Sequence, residues 1–494
     1  MKHLLRFLLV GLCMLSALQM QADTHDLFSR SFTIIRPAYD LIEVFHHLVD
    51  PMQYNQDHSG TPQFYALYQH SQDHDLAQSK YARYFLIHGK NQLLVAGDDS
   101  AFECTRDVRA EWLGLNPDFS GYLSICPEHR QYGGVFSYHQ NLDTIIKHGF
   151  FEQCFVEVTM PVLNVMTNLN LHQAGVQNPG TTFPRDIIEA FAQPDWKFDK
   201  IAGPRQKTAI AEIDFRFGRV FMYDNDNFLV YYSGLVIPAA HKPEPEYLYN
   251  AYVGQRYHVG FNGGMNVQIR LNRTQPGPLW ALFLMLDGTY LFKNTQYRTL
   301  DLHFRQTEDN DCITQSGGGQ WSRFLLMTRK CTPGVATPGV NVLTQEMHVR
   351  PYGVYNFAGG FRFKHNWYEV EIGYNLWGHP QEFLKLENHF FTDYGIMGTI
   401  DPLNPDVAQS ASMSTIKTQG PNDPTFVTIK ESDLNIYSGS AGSALNHTFL
   451  LGFGAHEVCN HCEFTFGGGL YTEIAHLNRP VPSWGGWLKV GATF

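Results

Sequence analysis

The sequence predicts an all-β chain, a transmembrane antiparallel up-and-down β-barrel of about 12 to 14 strands, with short helices in or at the barrel end. Three observations carry this expectation: long segments of strict alternation, a surplus of rings over charges, and the lack of helical spans. Aromatic residues make up 14% of the chain and charged residues 17%, whereas soluble domains carry about 25% charged residues. Past residue 22 no apolar run approaches the ~20 residues that a membrane helix needs. Few charges and many rings suit a wall whose outer surface meets lipid.

Alternation is clearest in QRYHVGFNGGMNVQIRLN. There Tyr257, Val259, Phe261, Met265, Val267, Ile269 and Leu271 alternate with Arg256, His258, Asn262, Asn266, Gln268, Arg270 and Asn272. Successive side chains of a strand point to opposite faces, so one face is greasy and the other wet. The segment is longer than the ~5–6 residues of a soluble strand and ample for the ~9–11 of a tilted membrane strand. In TAIAEIDFRFG, Ile213, Phe215 and Phe217 oppose Glu212, Asp214 and Arg216. In TQYRTLDLHFRQ, Leu300, Leu302 and Phe304 oppose Asp301, His303 and Arg305. In FRFKHNWYEVEIGYNLW a His365-Asn366 turn joins two strands, the second with Glu369 and Glu371 on its polar face.

Read with turns as boundaries, strands are expected near 131–140, 149–166, 207–220, 227–238, 255–272, 279–293, 296–306, 344–364, 367–378, 446–457, 463–476 and 484–494. Trp321–Thr328 and parts of 81–126 are further candidates. Long connections at 306–343 and 379–445 belong on the outer side of a barrel. Residues 38–52 show helical spacing up to Pro51, and TFPRDIIEAFA at 182–192 begins with a cap residue, Thr182, and an early Pro184. Both read as short helices packed at a barrel end, or as a lumen plug.

The N-terminus has the layout of a secretory signal peptide: Lys2 and Arg6, an apolar run, then Met20-Gln21-Ala22. This divides the chain into a signal at 1–22, an N-terminal segment at 23–130 with a short helix and first strands, and a barrel at 131–494. Without Lys2 and Arg6, 34 basic residues face 47 acidic ones. That balance speaks against nucleic acid as a partner.

Leu488, Val490, Ala492 and Phe494 lie on one face of the last expected strand. A terminal Phe on such a strand resembles the assembly signal of Gram-negative outer-membrane proteins. The resemblance implies the outer membrane, its lipid and the barrel-assembly machinery as destination and partners. Residues 207–272 run from strand through YSGLVIPAAHKP to VGFNGGMNVQIRL. This order is similar to the outer-membrane channel families for fatty acids and aromatic compounds, in particular the phenol-degradation (MetA-pathway) group. There the second strand closes with Pro-Thr-Gly, where this chain has Pro238-Ala239-Ala240.

Cys459-Asn460-His461-Cys462 sits where a tight hairpin turn is required and lacks a second ligand pair, so a turn with a local disulfide is favoured over zinc. Cys104 with Cys126 and Cys312 with Cys331 are the other candidate disulfides. The runs Asp224–Asn227 and Glu308–Asp311 lack the closing Glu of a calcium loop. No HExxH or hydrolase elbow is present. No metal, no cofactor and no enzymatic activity are expected.

The polar faces remain. Glu212, Asp214, Arg216, Arg256, His258, Gln268, Arg270, Glu369 and Glu371 are the candidate lumen-lining residues, and charge on an inner wall tunes selectivity in pores. The expected function is a passive porin-like channel for small solutes. The alternatives are a non-conducting barrel that displays its loops, and a transporter of hydrophobic or aromatic compounds.

Overall fold

Alternating faces leave a sheet two ways to hide its edges, and this chain takes the complete one, closing the sheet on itself. The computed structural model describes residues 29–41, 59–72, 81–101, 105–146, 149–224, 227–272, 277–303, 320–332, 336–397, 399–401, 404–409, 426–459, 462–476 and 481–494. The wall is formed by β1 (Gly60–Ser71), β2 (Glu128–Asn141), β3 (Cys154–Asn168), β4 (Arg205–Ile210), β5 (Glu212–Asp224), β6 (Asn227–Pro238) and β7 (Gly260–Arg270). It continues through β8 (Leu279–Leu291), β9 (Tyr352–His365), β10 (Tyr368–His379), β11 (Ala444–Cys459), β12 (Cys462–Ala475) and β13 (Ser483–Thr493). β4 and β5 are two pieces of one stave, both paired with β3, so the barrel has 12 staves. Each stave pairs antiparallel with its neighbour in chain order. The seam joins β1 to β13, with Phe64 opposite Val490 and Ser71 opposite Ser483.

The outer surface carries a band of exposed apolar side chains, among them Phe64, Phe136, Phe215, Phe361, Leu451 and Phe466. The inner face of the same strands is polar and buried, with Gln63, Glu212, Asp214, Asn375 and Thr448. That is the inverse of a soluble barrel and the arrangement of a membrane one.

The wall differs from expectation in four places. The first stave is Gly60–Ser71, which none of the twelve expected strands covers, although first strands are expected within 23–130. The segment 296–306 is not a stave. Asn294–Thr299 pairs with Thr344–Arg350, which pairs in turn with Phe383–Leu386 in a separate sheet, and its alternation has the same sense as a lipid-facing one, with Gln296 and Arg298 buried and Tyr297 exposed. Trp321–Thr328 also lies outside the wall: Leu326–Arg329 pairs with Ala336–Pro338 and Tyr394–Ile396. The hairpin between β9 and β10 turns at Asn366-Trp367, one residue later than expected, where Asn366 takes a positive φ of 52°.

One barrel end has short turns. At the other, the long connections pack into a cap with a hydrophobic core of its own. Phe191, Trp196, Trp321 and Phe324 form its centre, with Trp196 stacked on Phe324 at 5.4 Å and Phe191 edge-on to both tryptophans. The helix expected at 182–192 is shorter, Ile187–Ala190, and is capped by Asp186, whose carboxylate accepts from Glu189 N at 2.9 Å. It belongs to the cap, where Ile187 and Ala190 join the core. The segment expected to be helical at 38–52 contributes one 3-10 turn, Ala38–Leu41, while residues 42–52 lie outside the described residues.

Candidate functional site in the lumen

The inner wall encloses part of the chain itself. Residues 29–41 run from the cap into the middle of the barrel, and backbone polar groups taken out of water there need partners. Ser31 N donates to Ser438 O at 2.9 Å and Ser31 Oγ to Thr299 O at 2.6 Å. Ile35 N donates to the Tyr252 hydroxyl at 2.9 Å. Lower down, Ala38 N donates to Gln131 Oε1 at 3.1 Å, and Gln131 Nε2 donates to Arg36 O at 2.9 Å. Ala38, Tyr39 and Leu41 then pack on inward apolar side chains such as Tyr65, Leu163, Met285 and Trp487.

Arg36 is the central tie. Its Nη1 donates to Glu473 Oε2 and to Thr448 Oγ1, each at 3.0 Å. Its Nη2 donates to Asn356 and Asn375 Oδ1, each at 2.8 Å. The four acceptors come from β9, β10, β11 and β12, and the guanidinium stands 5.7 Å from the Trp377 ring centroid. A planar fork of N–H donors suits such a ring of acceptors. Arg36 and Glu473 are both about 1% exposed, and their charges are met by each other and by the side chains of Asn356, Asn375, Asn446 and Thr448.

The predicted lumen-lining residues fall at three levels. Near the cap, Arg256 and His258 are buried in the loop before β7. Arg256 Nε faces Glu382 at 3.7 Å, and His258 Nδ1 meets Phe292 O at 2.8 Å. Arg298 Nη2 reaches the same Glu382 at 3.4 Å. Burial alone would raise the Glu382 carboxyl, but Arg298 and Arg256 together hold it below its ordinary range. At mid-lumen, Glu212, Asp214 and Arg216 line β5, with Arg216 Nε donating to Asp214 Oδ2 at 2.8 Å. Toward the turn end, Gln268 accepts from Arg362 Nη1 at 2.6 Å, and Arg362 pairs with Glu371 at 3.4 Å. Glu369 is buried on the same strand, and Arg270 donates to Asn272 O at 3.0 Å at the rim. Thus all nine lie inside the barrel or at its mouths, but they form separate networks and no single cluster.

The space left over is small. A cavity of about 40 Å³ remains at mid-lumen, lined by Tyr39, Asp40, Glu212, Asp214, Arg216 and Asp287 among others. It holds a few waters and is far below the ~300 Å³ of an ordinary small-molecule pocket. Around residues 29–41 the described side chains fill the lumen.

Of the remaining sequence candidates, Leu488, Val490 and Phe494 face outward on or just past β13. Phe494 N donates to Gly60 O, and Phe494 O accepts from Ser59 and Gly60, so the terminal residue completes the seam. Cys459 and Cys462 are register partners at the turn end and carry separate thiols with no bond between them, which corrects the expected local disulfide. Cys126 is buried and Cys331 exposed, while Cys104 and Cys312 lie outside the described residues. Among the described residues no group of three or more His, Cys, Asp or Glu is arranged to hold a metal.

Sequence reasoning missed Arg36, Asp40, Asp287 and Glu473. Glu473 had a signal, since it continues the inward register of Glu463, Thr465 and Tyr471 on β12. Asp287 had little, because the inward positions before it on β8 are Leu279, Ala281, Phe283 and Met285. Arg36 and Asp40 sit in no periodic segment.

Fold and site together define a class: a closed antiparallel barrel with a lipid-type outer face and a polar bore filled by its own N-terminal segment. No protein-family model matches the chain, and no curated protein matches its sequence. Among solved structures it is similar to an outer-membrane channel of Pseudomonas putida F1, with 9% identity, TM-score 0.40, and coverage of 90% of this chain and 100% of the other. It is also similar to the transport unit of the autotransporter AIDA-I of Escherichia coli, with 9% identity, TM-score 0.30 and coverage of 93% and 99%. A third is a Pseudomonas aeruginosa FadL homologue, with 9% identity, TM-score 0.27 and coverage of 88% and 90%. None of these likenesses carries an inference here, and the barrel rests on its own strand pairing.

Proposed function

We propose that this chain is an outer-membrane channel for small polar solutes, held shut at rest by its residues 29–41. The apolar outer band supports a bilayer location, and the long-loop end with its cap then faces outward. Assembly by the barrel machinery, and passage without a catalytic step or cofactor, belong to the same reading. The observation that carries it is the Arg36 network. A segment tied across four staves through one buried guanidinium would be released by breaking that single network, which gives the proposed gate a bound and a withdrawn state. The polar bore favours hydrophilic solutes over a hydrophobic cargo.

The test is planar-bilayer conductance of the full-length protein and of Arg36→Ala and Glu473→Ala. The wild type rests closed with rare openings, and each variant opens at least about tenfold more often, the effect of ~1.4 kcal/mol. A wild type that stays open, or silence of all three with barrels that keep their β circular dichroism, overturns the proposal. The second reading, a non-conducting barrel that displays its cap, is favoured by the cap's independent hydrophobic core and would be supported by that silence.

A further inference from the structure

We propose that the outer face of the cap sheet, where it leaves the wall, holds the phosphate monoester of an outer-leaflet lipid, whose acyl chains lie on the aromatic band below. This rests on the bilayer location with the cap end outward, and not on conduction.

The register of β8 and β9 ends with Leu291 opposite Tyr352, and the cap sheet resumes the same register with Asn294 opposite Val349. Lys293 and Arg350 therefore stand directly opposite each other at the step from wall to cap, and both are exposed. One strand further on, Arg350 is opposite the exposed Phe383, and His348 is opposite the exposed Lys385. The backbone sets this face. Tyr352 takes a positive φ of 65°, which side chains of its bulk rarely adopt. On the wall side of it Tyr355 and Phe361 are exposed, whereas on the cap side Arg350 is exposed and His348 partly so. The switch brings cations to the outer side immediately above the exposed rings of Tyr290, Phe292 and Tyr355.

Like charges directly opposite on a strand pair repel. Among the described residues no carboxylate pairs with Lys293, Arg350 or Lys385. The acids of this face, Glu346 and Glu387, lie beyond His348, and Glu387 is held by His348 Nε2 at 2.8 Å. Lys242 adds a cation at the side, with Nζ 6.0 Å from the ring centroid of Tyr257, whose carbonyl accepts from Asn294 Nδ2 at 3.0 Å. An anion between Lys293 and Arg350 removes the repulsion. A phosphate monoester brings close to two charges and three acceptor oxygens, which suits these cations better than a singly charged phosphodiester. The rings decide for a lipid over a free anion. Phe292, edge-on to Tyr290 at 5.5 Å, and Phe383 carry the lipid-facing band up to the cations, so one surface covers both chains and headgroup. Aromatic belts with basic neighbours are the usual contact with anionic headgroups.

The test titrates the full-length protein in detergent with diphosphoryl lipid A, phosphatidylglycerol, phosphatidylcholine or inorganic phosphate. Native mass spectrometry reads bound lipid, and the unfolding temperature reads stabilisation. The wild type should hold lipid A at least about tenfold more tightly than phosphatidylglycerol, and Lys293→Gln/Arg350→Gln should lose that margin. Without lipid the variant should unfold no lower than the wild type, since it is relieved of a repulsion. Equal retention of lipid A by both proteins, a preference for either phospholipid, or the same stabilisation by inorganic phosphate overturns the inference. A variant already destabilised without lipid assigns the two cations a structural role and overturns it as well. Barrels that fold into lipid vesicles yet bind no lipid A refute this site alone, whereas barrels that do not enter vesicles refute the bilayer location with it.

Discussion

Arg36 and Glu473 meet at 3.0 Å inside the barrel although 437 residues separate them in the chain. Loss of one partner leaves the other charge buried, a cost of about 3–5 kcal/mol. Arg36→Ala should therefore lower the unfolding temperature more than Glu473→Gln, because glutamine still accepts from the guanidinium. Near-ultraviolet circular dichroism of Trp377, which lies under Arg36, reports the local change. Equal melting of wild type and Arg36→Ala would show that the network contributes nothing.

Asp199 gives the cap a pH dependence of known sign. Burial raises its carboxyl from 3.8 to about 7, against the pull of Arg323 at 3.6 Å and a hydrogen bond from Thr299 Oγ1 at 3.0 Å. The folded chain thus keeps a proton that the unfolded chain releases. The group's contribution is full below about pH 4 and is lost as pH rises to about 7, by up to ~4 kcal/mol. Asp199→Asn should flatten that window, so that the wild-type cap loses protease resistance between pH 4 and 7 relative to the variant. Parallel pH profiles of the two proteins would refute this.

The lipid-facing assignment predicts an asymmetry between neighbours on one strand. Leu451 is exposed on the outside of β11, and Thr448, on the opposite face, is fully buried. Leu451→Arg should cost ~2–4 kcal/mol if it lies near the bilayer midplane. Its folded fraction, read from heat-modifiable migration on gels, should drop in lipid vesicles and much less in detergent. No difference between the two media would argue against a membrane-facing wall.

Orientation has a direct chemical test. Cys331 is exposed at the cap end and Cys459 at the turn end. A membrane-impermeant maleimide applied to intact cells should label Cys331 and spare Cys459, and cell disruption should expose both. Labelling of Cys459 alone would invert the molecule.

Most of the wall was legible in the sequence because alternation states directly which side chains face in, as at Glu212, Asp214 and Arg216. The first stave was hidden because GTPQFYALYQHS carries Tyr65 and Leu67 on its inner face, where they pack on the lumen segment, and His70 on its outer side. Both faces then read as mixed. The false stave at 296–306 has the opposite cause. Period two reports two-sided burial and not the solvent on each side, so a cap strand that turns Gln296 and Arg298 inward mimics a membrane strand. The lumen segment was out of reach for a different reason: Arg36 is defined by partners on four distant strands, and nothing near it in sequence announces them.

The position of residues 29–41 also sets an order on biogenesis. They precede β1, yet the wall around them is completed only when β1 and β13 pair, the first stave with the last. A finished barrel offers no sideways entry, so threading afterwards would have to proceed lengthwise past the cap. The simplest route lays the staves around the segment while the sheet is still open. The occupant then acts as a template, collecting β9 to β12 through Arg36 before the seam is drawn shut.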